Sequence, residues 1–276
     1  MKHALVNGCQ SLTALYNNRH SVTDNLRVLV KFIQTDPTSD LAREITEFSN
    51  NQNGVKERDF MANNTMQIRI QNEFRKLYKD KYEFEIKRGE NNQPGEVISN
   101  EDAGLLLWAF DLKEPWATHR KYQVFDEKYA AIFGRPEVTA DRIVMCRVIA
   151  DEVAKTLPLI KNRLFAQYAL TRYMLLYVVR NILEADDLWD KITSEPATFV
   201  RDNKSRARFS ECIRNIANDV AVDIDAEVNG LGDDFDYRDS LRDSEWVKKM
   251  SKEIVKDHQK MVTRKKIKSF GDEWGK

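Results

Sequence analysis

The stretch Ala4-Leu5-Val6-Asn7-Gly8-Cys9-Gln10-Ser11-Leu12-Thr13-Ala14-Leu15 decides how the chain is read. Its three apolar residues read as the end of a buried strand, and Asn7-Gly8 as a turn that tolerates positive φ. From Cys9 onward Leu12 and Leu15 recur at helical spacing, with Ala14 beside them. A strand that runs through a glycine turn into a helix leaves backbone N–H groups free at the helix start. Those groups, with the positive end of the dipole, favour an anion such as a phosphate. Gln10 adds an amide that both donates and accepts. The alternative is an Asn-Gly turn that positions nothing, because one Gly falls short of a Gly-rich phosphate loop.

Outward from this corner the pattern stays mixed for about a hundred residues. Leu26-Arg27-Val28-Leu29-Val30-Lys31-Phe32-Ile33 is a β-branched run, apolar enough for a central strand and for a right-handed crossover if it lies parallel to the first. Leu41, Ile45 and Phe48 mark a helix that ends in Asn50-Asn51-Gln52-Asn53-Gly54, a run suited to a C-cap. Met66, Ile70, Phe74 and Leu77 predict a second amphipathic helix. Tyr82, Phe84 and Ile86 then alternate with Glu83, Glu85 and Lys87, the period of a half-buried strand. Asn91-Asn92-Gln93-Pro94-Gly95 reads as a boundary.

Helix dominates beyond it. Apolar stripes run through Leu106, Leu107 and Phe110, then through Phe125, Tyr129 and Phe133, then from Thr139 to Pro158. Tyr168 to Leu183 is apolar nearly all round, as a helix buried on most sides would be, and another helix follows from Ser205 to Val228. The expected fold class is α+β or α/β, with a small amino-terminal α/β module over residues 1–98 and a mainly helical domain over 99–276.

Composition narrows the function classes. Formal net charge is zero, so no global field recruits nucleic acid or repels it. Cys9, Cys146 and Cys212 are scattered and odd in number, which argues for a reducing cytosol without a disulfide framework or zinc knuckle. Four scattered histidines give a His-based metal site no support. No signal peptide is read, and the apolar run Leu170 to Leu183, broken by Arg172 and Arg180, is too short for a bilayer span. A cytoplasmic protein without membrane contact is therefore expected. The carboxy-terminal segment is polarised: nine acidic and two basic residues from Asp223 to Glu245, then nine basic and two acidic from Lys248 to Lys268. An acidic loop beside a solvated basic helix accounts for this, and a nucleic-acid-binding tail is the alternative.

The run Leu5 to Leu15 resembles the signature of the AIPR family, the abortive-infection phage-resistance proteins, whose pattern is a strand, Asn-Gly-x-Gln-Thr and a helix; Ser11 stands where Thr is usual. Two further segments are similar to the same family in the same order. One is Ile45 to Asn53 followed by Lys56, Arg58 and Asp59, and the other is Tyr82 to Glu90. The resemblance implies a role in phage defence, partnership with neighbouring defence proteins, and a chain that is a carboxy-terminal fragment or a short form. The first motif is also similar to the Asp-Gly-Gln-x-Arg corner of ParB-like nucleotidase and nuclease domains, but the acid and the arginine of that corner are absent here.

Thirteen Asn and six Gln crowd the first hundred residues, against six and three in the remaining 176. Amides read base edges and cap backbone groups equally well. The expected nucleic-acid or nucleotide site comprises Asn7, Gly8, Gln10, Asn51, Gln52 and Asn53, with Lys56, Arg58, Arg69, Lys87 and Arg88 supplying phosphate contacts. The alternative for Lys56, Arg58 and Arg69 is that all three are ordinary exposed helix residues. A nuclease is the catalytic alternative: Glu85 and Lys87 share one strand face as in a Glu-x-Lys core, where the acid would hold Mg²⁺ with a second carboxylate such as Asp59 or Asp80. A structural partner within a defence complex is the third reading. Apart from that conditional Mg²⁺, no cofactor is read. Cys9 at a helix start is either a reactive thiol or a small buried residue.

Overall fold

The computed structural model describes residues 9–35, 64–79, 81–87, 95–232 and 235–275. The chain divides into two compact units, Met1–Phe60 and Met61–Lys276. In the first, α1 (Cys9–Asn17) starts directly after the Asn7-Gly8 dipeptide and is followed by a 3-10 turn at Arg19–Ser21. Leu12 and Tyr16 are exposed along α1.

The strand expected over Leu26 to Ile33 does not form. These residues lack regular structure, and Leu29 and Phe32 are 100% and 90% exposed. A β-branched run gains from a pleated, paired, half-buried surface rather than from any backbone preference of its own. Among the described residues no strand pairs with it. The helix expected at Leu41 to Phe48 and the cap at Asn50 to Gly54 lie outside the described residues.

The second unit opens with α2 (Thr65–Leu77), which buries Ile70 and Phe74 as its stripe requires. The side chain of Asn64 accepts the Met66 N–H at 2.9 Å and caps it. β1 (Tyr82–Glu85) buries Phe84, with Ile86 buried just beyond. It pairs in parallel with β2 (Glu96–Ser99), Phe84 opposite Ile98. The turn residue Gly95 therefore leads into a second strand, and β2 runs straight into α3 (Asn100–Phe110), so the expected junction at 98/99 falls inside one compact unit. Ser99 caps α3 through the Asp102 N–H at 3.0 Å.

Helices make up nearly all the rest, giving an α+β-like but mostly helical unit with a two-stranded sheet at its start. After α3 come α4 (Tyr129–Phe133), α5 (Ala140–Thr156), α6 (Arg163–Gln167), α7 (Ala169–Glu184), α8 (Trp189–Ser194), α9 (Ala197–Val200), α10 (Asn203–Gly230), α11 (Tyr237–Arg242), α12 (Ser244–Thr263) and α13 (Phe270–Trp274). α3, α5, α7 and α10 pack against one another around the main core. α3 is buried nearly all round, and Gly104 is what admits its neighbours: a Cβ there would collide with Val124 and crowd Phe133. Phe199, Phe209, Phe270 and Trp274 cluster where α9, α10 and α13 meet, the Phe199 and Trp274 rings 4.7 Å apart. α12 buries Val247, Met250, Ile254 and His258, while Lys249, Lys252 and Lys256 face water. The basic block of the sequence is thus the outer face of an amphipathic helix. Among the described residues no helix is long and apolar enough to cross a membrane.

Candidate functional site

The amino-terminal corner is built on α1. Its first residue follows Gly8, and its first turn carries no acidic residue. Gln10 belongs to this first turn. Asn7, Gly8, Asn51, Gln52, Asn53, Lys56, Arg58, Arg88, Asp59 and Asp80 lie outside the described residues. Of the other predicted positions, the structure gives the surroundings of Arg69 and Lys87.

Arg69 is drawn into the packing of α2 on α5. Its guanidinium bonds Glu73 at 3.0 Å and donates to the Val138 carbonyl at 2.8 Å. Glu73 in turn accepts the Ala140 N–H at 2.8 Å, satisfying one free donor at the start of α5. This cation thus ties a helix start to its neighbour. Lys87 is exposed just past β1.

Glu85 is half-buried on β1, and its cross-strand neighbour on β2 is Ser99. The one carboxylate of β2, Glu96, lies opposite Tyr82 and is bound to Arg147. Among the described residues, no group of three or more His, Cys, Asp or Glu is arranged to hold a metal ion. The described residues therefore do not complete a Mg²⁺ site around Glu85.

Several of the crowded amides cap backbone. Gln71 donates to the Phe84 carbonyl at 3.3 Å and Asn100 to the Ile86 carbonyl at 3.2 Å, closing the open side of β1. Asn64 caps α2, and Asn18 donates to the Ala14 carbonyl at 2.9 Å at the end of α1. Buried carbonyls need such partners wherever a two-stranded sheet leaves them unpaired.

Three networks of buried charge are not revealed by sequence spacing. Asp141 accepts from the Tyr78 hydroxyl at 2.6 Å and from Arg201, and burial with that bond pushes the phenol up. Asp111 holds Arg142 at 2.5 Å and Arg135 at 2.9 Å. Glu152 holds Arg214 at 2.7 Å and Lys155 at 2.6 Å. Each joins elements far apart in sequence and has its charge matched internally, the pattern of a structural ion pair rather than a site poised for proton transfer.

Among known proteins, the AIPR family model, described as AIPR protein, matches residues 2–220. Comparison with curated proteins finds no match, and neither does comparison with solved structures. The matched span contains the Asn-Gly corner, β1, β2 and the helices from α2 to most of α10. The chain belongs to the AIPR family.

Proposed function

We propose that this AIPR protein serves phage defence by binding nucleic acid or a nucleotide through the polar residues of its amino-terminal part. Family membership supports the defence role. The observation that carries the binding role is the start of α1 at Cys9, directly after Asn7-Gly8 and free of acidic residues in its first turn. A helix start favours an anion through its leading N–H groups and the helix dipole. Gln10, Asn51, Gln52 and Asn53 supply amides, and Lys56, Arg58, Lys87 and Arg88 supply phosphate contacts. Arg69, engaged by Glu73 and Val138, serves packing in this reading.

The test is a titration of labelled single- and double-stranded oligonucleotides and of nucleotides at several salt concentrations. Binding should weaken with salt, and Arg58→Ala or Arg88→Ala should each lower the logarithmic salt slope by about one phosphate contact. No binding, or no oligonucleotide or nucleotide whose binding responds to either substitution, refutes the reading. Mg²⁺-dependent cleavage lost in a folded Glu85→Ala variant would replace it with a nuclease. Co-purification with a neighbouring defence protein without ligand binding would replace it with a structural role.

A further inference from the structure

A polar hollow lies wholly within the 61–276 unit, remote in sequence from the predicted site residues. It has a volume of about 360 Å³ and is walled by the end of α3, the 3-10 turn Pro115–Ala117, the segment that follows, and α11. Its single carboxylate, Glu114, is already matched. The Trp108 indole donates to it at 2.7 Å and the Lys128 ammonium at 2.8 Å. Burial alone would raise this carboxyl, but the two bonds outweigh it and hold Glu114 below its ordinary range. Lys128 also sits over the Trp108 ring, 5.6 Å from its centre, so the acid, the base and the floor of the hollow are fixed together.

That pairing leaves two positive charges uncancelled. Arg120 and Arg242 reach the hollow from separate elements and are exposed. Among the described residues neither guanidinium has an ion pair or a side-chain hydrogen bond. Each keeps five N–H donors in the fork that suits a phosphate. Trp116 lines the same hollow, partly buried and held edge-on by Tyr177 at 6.2 Å, with the Lys248 ammonium over its ring at 5.2 Å. His119 bonds the Trp116 carbonyl through Nδ1 at 2.8 Å. A carbonyl only accepts, so Nδ1 carries the proton of that bond and Nε2 takes no part in it.

Two unengaged guanidiniums, a fixed indole, an imidazole nitrogen and a neutralised acid, in a hollow of this size, suit an anion that carries a flat ring. We propose that this hollow is a binding site for a nucleoside monophosphate, with Arg120 and Arg242 on the phosphate and Trp116 against the base. It is independent of the amino-terminal site, because its residues lie on other elements.

The experiment is calorimetric titration of the full chain with AMP, adenosine and inorganic phosphate, repeated on Arg242→Gln, Arg120→Gln and Trp116→Leu, with circular dichroism as the folding check. AMP should bind, and each arginine substitution should weaken it about tenfold or more, the worth of a charge-assisted hydrogen bond. Trp116→Leu should weaken AMP while leaving any binding of inorganic phosphate unchanged. Because Arg120 and Arg242 are exposed, their variants keep the test open if Trp116→Leu misfolds. Arg58→Ala, which tests the amino-terminal reading, should leave AMP affinity untouched. The assignment is overturned if AMP does not bind, if phosphate alone binds as tightly, or if both arginine variants bind as wild type. A single-stranded oligonucleotide that binds here while AMP does not overturns it equally.

Discussion

Replacing Glu152 with Gln removes one charge at the contact between α5 and α10 while keeping the side chain's shape. The Glu152 side chain is 2% exposed. It accepts from Arg214 and Ser210 on α10 and from Lys155 on its own helix. Burial works to raise its pKa, but the bonds from Arg214, Lys155 and Ser210 overcome this and bring it from an ordinary 4.5 down to about 2. At about 1.4 kcal/mol for each pH unit, that difference converts to about 3 kcal/mol of stability. Arg214 and Lys155 are 48% and 59% exposed, so water screens part of it and about 2 kcal/mol is the firmer figure. The sign follows from the depressed folded value: the contribution is whole above the unfolded value of 4.5 and is lost as pH falls through about 2. Urea unfolding of wild type and Glu152→Gln should therefore differ by about 2 kcal/mol at pH 7, and the gap should shrink to about half that at pH 3. A gap below about 0.5 kcal/mol at pH 7, or one of equal size at both pH values, refutes the reasoning.

Two further outcomes follow from buried titratable groups. His258 on α12 is buried, which lowers its pKa against a smaller opposing pull from Asp186. Since protonation is disfavoured in the fold, stability should hold above the ordinary value of 6.5 and fall as pH drops through the lowered one. Melting temperatures measured from pH 7.5 to 5.5 should decline less in His258→Gln, and an unchanged slope counts against the burial. Cys146 and Cys212 are buried, the first thiol pushed well up by burial and the second pushed up to about 11. Site-resolved mass spectrometry after a brief iodoacetamide pulse at pH 8 should find both unlabelled until urea is added, and rapid labelling of either in the native chain refutes that packing.

Long helical stripes were legible because their signal is local. Ile70 and Phe74, or Leu106 and Phe110, recur at the helical period and are buried where that period predicts. Phe84 and Ile86 revealed β1 in the same way. β2 was missed because Val97 and Ile98 are two apolar residues beside a turn, and a strand that short is defined by its neighbour. Leu26 to Ile33 failed in the opposite direction: eight strand-like residues predict a strand only where something pairs with them. Short helices such as α9 and α13 carry too few residues to show a period and form because the Phe199 and Phe270 side chains have a cluster to join. The hollow at Trp116 was illegible for a related reason. Arg120, Lys128 and Arg242 sit at no motif spacing, and only tertiary packing shows that Glu114 cancels one of them and spares the other two.

Zero net charge shapes what such a protein can bind and how. A duplex-binding surface depends on many cations in register and loses affinity steeply with salt. Here the lysines of α12 share their exposed face with Glu253 and Asp257, and Lys248 and Lys260 are paired to Glu245 and Asp257 at 3.1 and 2.6 Å. Their far field is largely cancelled, and what is left acts within a Debye length of about 8 Å at physiological salt. Binding then depends on spots where local pairing is incomplete, and the Arg120–Arg242 hollow is such a spot. Affinity there should fall gently with salt, as two charges require, and rest more on what stacks against Trp116 than on how much phosphate is presented.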